Sequence, residues 1–137
     1  IDHGAPSGTS RQVFRGIVGD KARAVFRGKI LVRKGAAKTD GHQLHNALLL
    51  GLGAEVYSKP ELEIYADDVK CSHGSTVGEL DAEQLFYLRA RGLDMAAARR
   101  LLTTAFATVI LERVHDEGVR AEATQRVTAG LARLMES

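Results

Sequence analysis

The chain has 137 residues and a formal net charge of +2, from 19 basic and 17 acidic side chains, with an apolar fraction of 45%. That balance supplies no strong positive field for nucleic acid, and four Phe, three Tyr and no Trp make a poor base-stacking platform. No window reaches the 18 or more apolar residues of a membrane span, no signal peptide is visible, and a single cysteine excludes an internal disulfide and fits a reducing, cytoplasmic setting.

The length suits one domain with its own core, or the tail of a larger one. Residue 1 is Ile, and Asp2 to Ser10 has no apolar period. This opening reads as a loop entering structure already under way, so the chain is expected to be a piece of a longer protein or a processed chain.

Residues 10–80 read as β-structure. Arg11 to Val18 and Ala24 to Val32 are rich in Val, Phe and Ile and are bounded by Gly or Asp. Val13-Phe14-Arg15-Gly16 recurs as Val25-Phe26-Arg27-Gly28, twelve residues later. Such an echo points to a stacked solenoid, in which each coil buries its neighbour's apolar face. Short strands with regular glycines also allow a sandwich or jelly roll. The basic residues between Lys21 and Lys38 alternate with apolar ones, as on the wet face of a sheet.

Gly35 to Gly41 reads as a turn, and His42 to Leu50 as a strand buried on both faces, ending in Ala47-Leu48-Leu49-Leu50. Glu55 to Ser58 reads as a short strand stopped by a turn at Lys59-Pro60. The alternation in Glu61-Leu62-Glu63-Ile64-Tyr65 sets both glutamates on one face and Leu62 and Ile64 on the other. Ala66-Asp67-Asp68 turns the chain into a further strand from Val69 to His73.

After Gly78 the period changes. Asp81 is a candidate N-cap with Gln84 completing a capping box, and Gly92 closes that helix. Asp94 caps a second helix from Met95 to about His115, with a stripe of Ala98, Leu102, Phe106, Val109 and Ile110. Asp116-Glu117-Gly118 breaks it. A last helix carries Val119, Ala123, Val127, Leu131 and Leu134 on one stripe. Strands followed by helices make an α+β arrangement with segregated halves. The helix stripes serve an internal bundle, the β-part or a partner.

The chemistry concentrates at Cys71-Ser72-His73, which holds the only cysteine. Residues two apart on a strand face the same way, so thiolate and imidazole could reach one ion. Two donors are too few, and Glu61, Glu63, Asp67, Asp68, Glu79, His42 and His45 are further candidates. The plainer alternative is a buried apolar Cys71 beside a hydrogen-bonded His73. A Cys–His nucleophile lacks an evident orienting residue or oxyanion loop. No GxxxxGK[ST] loop is present, so this chain is not expected to hydrolyse ATP.

Residues 57–74, from Tyr57-Ser58-Lys59-Pro60 through Tyr65-Ala66-Asp67-Asp68 to Lys70-Cys71-Ser72-His73-Gly74, carry a resemblance. With Thr76-Val77-Gly78 and Glu83 to Gly92, the stretch resembles the SufB/SufD family of iron–sulfur cluster assembly scaffolds. Its Lys-Cys-Ser-His-Gly wording, and a preceding strand without cysteine, are similar to the SufD type. The segment His42 to Ala47 departs from the usual wording of that type.

The resemblance implies a partial right-handed parallel β-helix over residues 1–80 and a C-terminal helical domain over 81–137. It implies a non-enzymatic scaffold that pairs with a SufB-type subunit and docks a SufC-type ATPase through its C-terminal helices, where Gln84, Leu85, Phe86, Tyr87, Arg89 and Arg91 are candidates. His73, with Cys71 beside it, would contribute at the subunit interface to a transient iron–sulfur cluster or iron. Glu61, Glu63, Glu79 and His45 are weaker candidates. No cofactor is expected to be tightly bound by the isolated chain, and no nucleic-acid or membrane partner is expected. The isolated chain could also form a homodimer through an exposed strand. The alternatives are a purely structural β-helix module and a Cys-dependent enzyme.

Overall fold

A computed structural model of the chain describes residues 1–136. Six strands come first: β1 (Asp2–His3), β2 (Thr9–Val18), β3 (Arg23–Val32), β4 (Asp40–Leu49), β5 (Glu55–Ile64) and β6 (Lys70–Glu79). Three helices follow: α1 (Ala82–Ala90), α2 (Met95–Thr108) and α3 (Glu117–Glu136), with a 3-10 helix at Val109–Arg113. The chain is α+β.

The strands alternate between two parallel sheets, ordered β1-β3-β5 and β2-β4-β6. The register is unbroken: Thr9 pairs with Asp40 and Asp40 with Lys70 in one sheet, and Arg23 with Glu55 in the other. Partners thus lie about 30 residues apart in sequence. The twelve-residue echo is therefore not the repeat of the stack. Its two copies lie on β2 and β3, in different sheets, where Phe14 and Phe26 meet with centroids 4.9 Å apart.

Four readings are corrected. Asp2–His3 is a short strand beside Leu31 and Val32, where a loop is expected from composition. β5 runs through Lys59-Pro60 without a turn. Glu55 and Tyr65 both turn their N–H toward β3, donating to Ala22 and Val32. Odd-numbered residues of β5 therefore face β3, and Pro60 turns its missing N–H to the open edge, where the ladder loses nothing. β6 continues past His73 to Glu79. The second α-helix stops at Thr108 rather than near His115, as β-branched Thr108-Val109-Ile110 weakens it into a 3-10 turn.

Residues of one parity face the space between the sheets. The deepest cluster is Ile30, Val32 and Ala36, with Leu62, Ala66, Val69 and Cys71 packed on it. The opposite parity of β3 and β5 is wet: Arg23 pairs with Glu55 at 3.0 Å and Lys29 with Glu63 at 2.5 Å. In β4, Ala47 and Leu48 are both buried, so the end of this strand is covered on both faces, while Leu44 is exposed on the outer one.

The helices start where their caps place them. Asp81 Oδ1 accepts from Gln84 N at 2.9 Å, Asp94 Oδ1 from Ala97 N at 2.7 Å, and Asp116 Oδ1 from Val119 N at 2.8 Å. Asp116-Glu117-Gly118 thus begins α3 as well as ending what precedes it. Gly92, at φ +96°, terminates α1 in the left-handed region. α2 is tied to the sheet by Arg15, whose guanidinium lies 4.7 Å from the Phe106 ring and donates to Phe106 O at 2.8 Å. Arg99 donates to Leu50 O at 2.9 Å. Along α3, Leu131 is buried, but Val119 is 57% exposed and leaves the expected stripe. None of the described helices is long and apolar enough to cross a membrane.

Candidate functional site

The site is built on β6, an edge strand of the sheet β2-β4-β6. Three rungs cross that sheet on its inner face: Ser10–Gly41–Cys71, Gln12–Gln43–His73 and Phe14–His45–Ser75. A Cβ placed on Gly41 would meet Ile30 of the opposite sheet at 3.4 Å and Cys71 Sγ at 3.6 Å, which fixes this side as the inner one. Cys71 and His73 therefore share a face, as two residues of one parity must. Their Cα atoms are about 6.6 Å apart at the rise of a parallel strand.

The two side chains differ in surroundings. Cys71 is half-buried against the Ile30 cluster, so it is partly the apolar core residue of the plainer alternative. His73 is exposed. An open cavity of about 410 Å³ lies over the outer side of this edge, among Arg11, Val13, His42, Leu44, Ser72 and Arg113, and His73 borders it from its own strand.

Of the weaker candidates, only His45 is a neighbour of this face. It is 5% exposed, and its Nδ1 lies 3.1 Å from Ser58 Oγ and 3.4 Å from Ser75 Oγ. Ser75 in turn donates to Ser58 at 2.7 Å. Burial disfavours the imidazolium and lowers the pKa of His45 below its ordinary value. Glu61 and Glu63 point away, on the outer face of β5. Lys59 sits 3.1 Å from Glu61 and holds its carboxyl below the usual range, and Lys29 pairs with Glu63. Glu79 ends β6, about 20 Å along the strand from His73. Among the described residues no group of three or more His, Cys, Asp or Glu is placed to hold a metal ion.

His42 and Ser72 lie on the outer face of the same sheet. His42 Nε2 is 2.8 Å from Asp40 Oδ1, and its Nδ1 is 2.5 Å from Ser72 Oγ. Arg11 completes the row, with Nη2 2.9 Å from Asp40 Oδ2 and holding that carboxyl low. The order Asp–His–Ser matches a nucleophile relay, but it lies on an open sheet face and its evident effect is to bind β6 to β4 and β2. Sequence reading missed this row, the rung partners Gln12, Gln43 and Ser75, and Ser58 reaching His45 from the opposite sheet. Strand parity alone marks Gln43 and Ser75 as facing the same way as His45 and His73.

The helical candidates form an exposed group. No residue of α1 is buried. Phe86 is 75% and Tyr87 56% exposed, Leu85 is half-buried, and Gln84 and Arg89 are exposed. Arg91 lies over the Tyr87 ring at 4.6 Å.

The family model described as "SUF system FeS cluster assembly, SufBD core domain" matches residues 1–106. The chain is 50% identical over 127 residues to the iron-sulfur cluster assembly protein SufD of Escherichia coli, covering 93% of this chain and 30% of that protein. It is 48% identical over 109 residues to an iron-sulfur cluster assembly SufBD family protein of Synechocystis, covering 80% of this chain and 24% of the other. It is 42% identical over 128 residues to the chloroplastic protein ABCI7 of Arabidopsis thaliana, covering 93% of this chain and 26% of the other. The chain thus spans less than a third of the length of these relatives. A core-domain match over most of the chain and half-identity to a SufD place it in the SufB/SufD family of iron–sulfur cluster assembly proteins, as a member of the SufD type.

Proposed function

We propose that the chain acts as part of a SufD-like scaffold subunit, without catalysis of its own, in an assembly that builds iron–sulfur clusters. Its strands form the last coils of a right-handed parallel β-helix. Strand alternation between two in-register parallel sheets supports that reading. A SufB-type subunit pairs along the β6 edge, and a SufC-type ATPase docks on α1 and α2. The same edge would join two copies of this chain when a SufB-type partner is lacking. The proposed setting is the cytoplasm, in keeping with a single cysteine that is free among the described residues.

One observation carries the proposal: an exposed imidazole and a half-buried thiol on the same face of an edge strand. Imidazole and thiolate both bind iron. Two donors are an incomplete set, so a neighbouring subunit supplies the rest, and the cluster is passing cargo. The test is His73→Ala in the reconstituted complex with SufB-type and SufC-type subunits. The variant folds and loses cluster formation. Full cluster formation would remove His73 from the mechanism.

The second reading, a purely structural module, draws on the absence of a complete ligand group among the described residues. It expects His73→Ala and Cys71→Ala to be silent in the same assay. A Cys-dependent enzyme would instead show rapid alkylation of Cys71.

A further inference from the structure

Three buried side-chain polar atoms lack a hydrogen-bond partner among the described residues: Arg15 Nε, Gln43 Oε1 and Asn46 Oδ1. By strand parity Arg15 and Asn46 belong to the outer face of their sheet, and only Gln43 Oε1 lies between the sheets. Gln43 is 3% exposed. Its amide nitrogen donates to Gln12 Oε1 at 2.6 Å, on the β2 side. The amide rests on Gly28 of the opposite sheet, where an added Cβ would collide with Cδ, Nε2 and Oε1 alike. The group therefore lies flat across β3, with its nitrogen toward β2 and its oxygen turned toward β6. The register neighbour on that side is His73, which by strand parity shares the inner face with Gln43.

The geometry points to Gln43 as a positioning residue for His73: its Oε1 accepts a hydrogen bond from one ring N–H, fixing the tautomer and leaving the other ring nitrogen free to donate to iron. This rests on the reading of His73 given above. A buried carbonyl without a partner is unfavourable, so the bond satisfies an acceptor that is otherwise orphaned. The two residues are already paired in register, so the bond asks for no shift of one strand along the other. Imidazole ligands are commonly oriented in this way, by a carbonyl or carboxylate on the nitrogen that does not bind metal. Gly28 is part of the device, since any larger residue there would lift the amide off β3.

The experiment is nitrogen NMR of histidine-labelled chain, at a pH above the imidazole range, with the His73 signals assigned by their loss in His73→Ala. In the parent, His73 is expected as one dominant tautomer. Gln43→Leu should return it to the mixture of a free imidazole. Gln43→Glu keeps an acceptor, so it should retain the single tautomer. A tautomer mixture in the parent would overturn the inference, and so would an unchanged ratio in folded Gln43→Leu. If Gln43→Leu does not fold, the parent spectrum and Gln43→Glu decide. The readout contains no cluster. A failed hydrogen bond with an inactive His73→Ala complex would sink only the role of Gln43. An active His73→Ala complex would sink only the role of His73 in assembly.

Discussion

The imidazole of His45 lies flat on the phenyl ring of Phe26, with centroids 4.1 Å apart and planes 5° from parallel. The pair crosses the interior from one sheet to the other, and Ser58 closes it from the side at 3.1 Å from Nδ1. Burial lowers the pKa of this ring below its ordinary 6.5. The unfolded chain thus takes up a proton at His45 more readily than the folded one, and acid favours unfolding. The contribution is complete above about pH 6.5 and is lost as pH falls below that value toward the lowered folded one. Urea midpoints of the parent and of His45→Gln, measured on both sides of that window, should show the parent losing more stability on acidification. Parallel losses would mean that His45 is not held neutral.

Two glycines should respond oppositely to alanine. A Cβ on Gly51 would fall 2.5 Å from Asp20 O and 2.8 Å from Asp20 N. Those atoms are backbone, in a turn where Asp20 sits at φ 51°, so they cannot swing aside. Gly51→Ala should cost about 1–3 kcal/mol, as overpacking does. Gly78, on exposed β6, has nothing within 4 Å of such a Cβ and no positive φ. Gly78→Ala should stabilise by about 0.4–1 kcal/mol, by restricting the unfolded chain. Chemical denaturation of both variants decides it, and a reversed order would contradict the packing at Asp20.

β2, β3 and β4, the caps at Asp81 and Asp94, and the shared face of Cys71 and His73 were legible in the sequence because each depends on residues a few positions apart. Alternation gives a strand its two faces, and a carboxylate three residues before an amide gives a cap. Pro60 was misread because its effect depends on where its missing N–H points. That direction is set by the pairing with β3, about 30 residues away. The Val-Phe-Arg-Gly echo misled for a related reason, since stack spacing is fixed by two strands and two turns together. Glu61 and Glu63 looked near to His73 in sequence, yet the sheet alternation carries them to another face. Parity marks the face of Gln43 but not its role, which comes from Gln12, Gly28 and His73 on three other strands.

The surface of α1 separates docking from folding. Phe86 is 75% exposed on a helix with no buried residue, and exposed Tyr87, Met95 and Leu101 lie on α1 and the helix after it. Exposed aromatic and apolar groups of this kind mark contact surfaces, where a few anchors carry most of the affinity. Phe86→Asp removes one anchor and adds a charge without touching the core. Its thermal midpoint should match the parent, because changes at such positions stay within about ±0.5 kcal/mol. Affinity for a SufC-type ATPase, measured by titration calorimetry, should fall at least about tenfold, equal to about 1.4 kcal/mol. Unchanged affinity would move the docking surface off α1. A thermal midpoint lowered by more than the helix propensity of aspartate accounts for would instead show that Phe86 supports the fold.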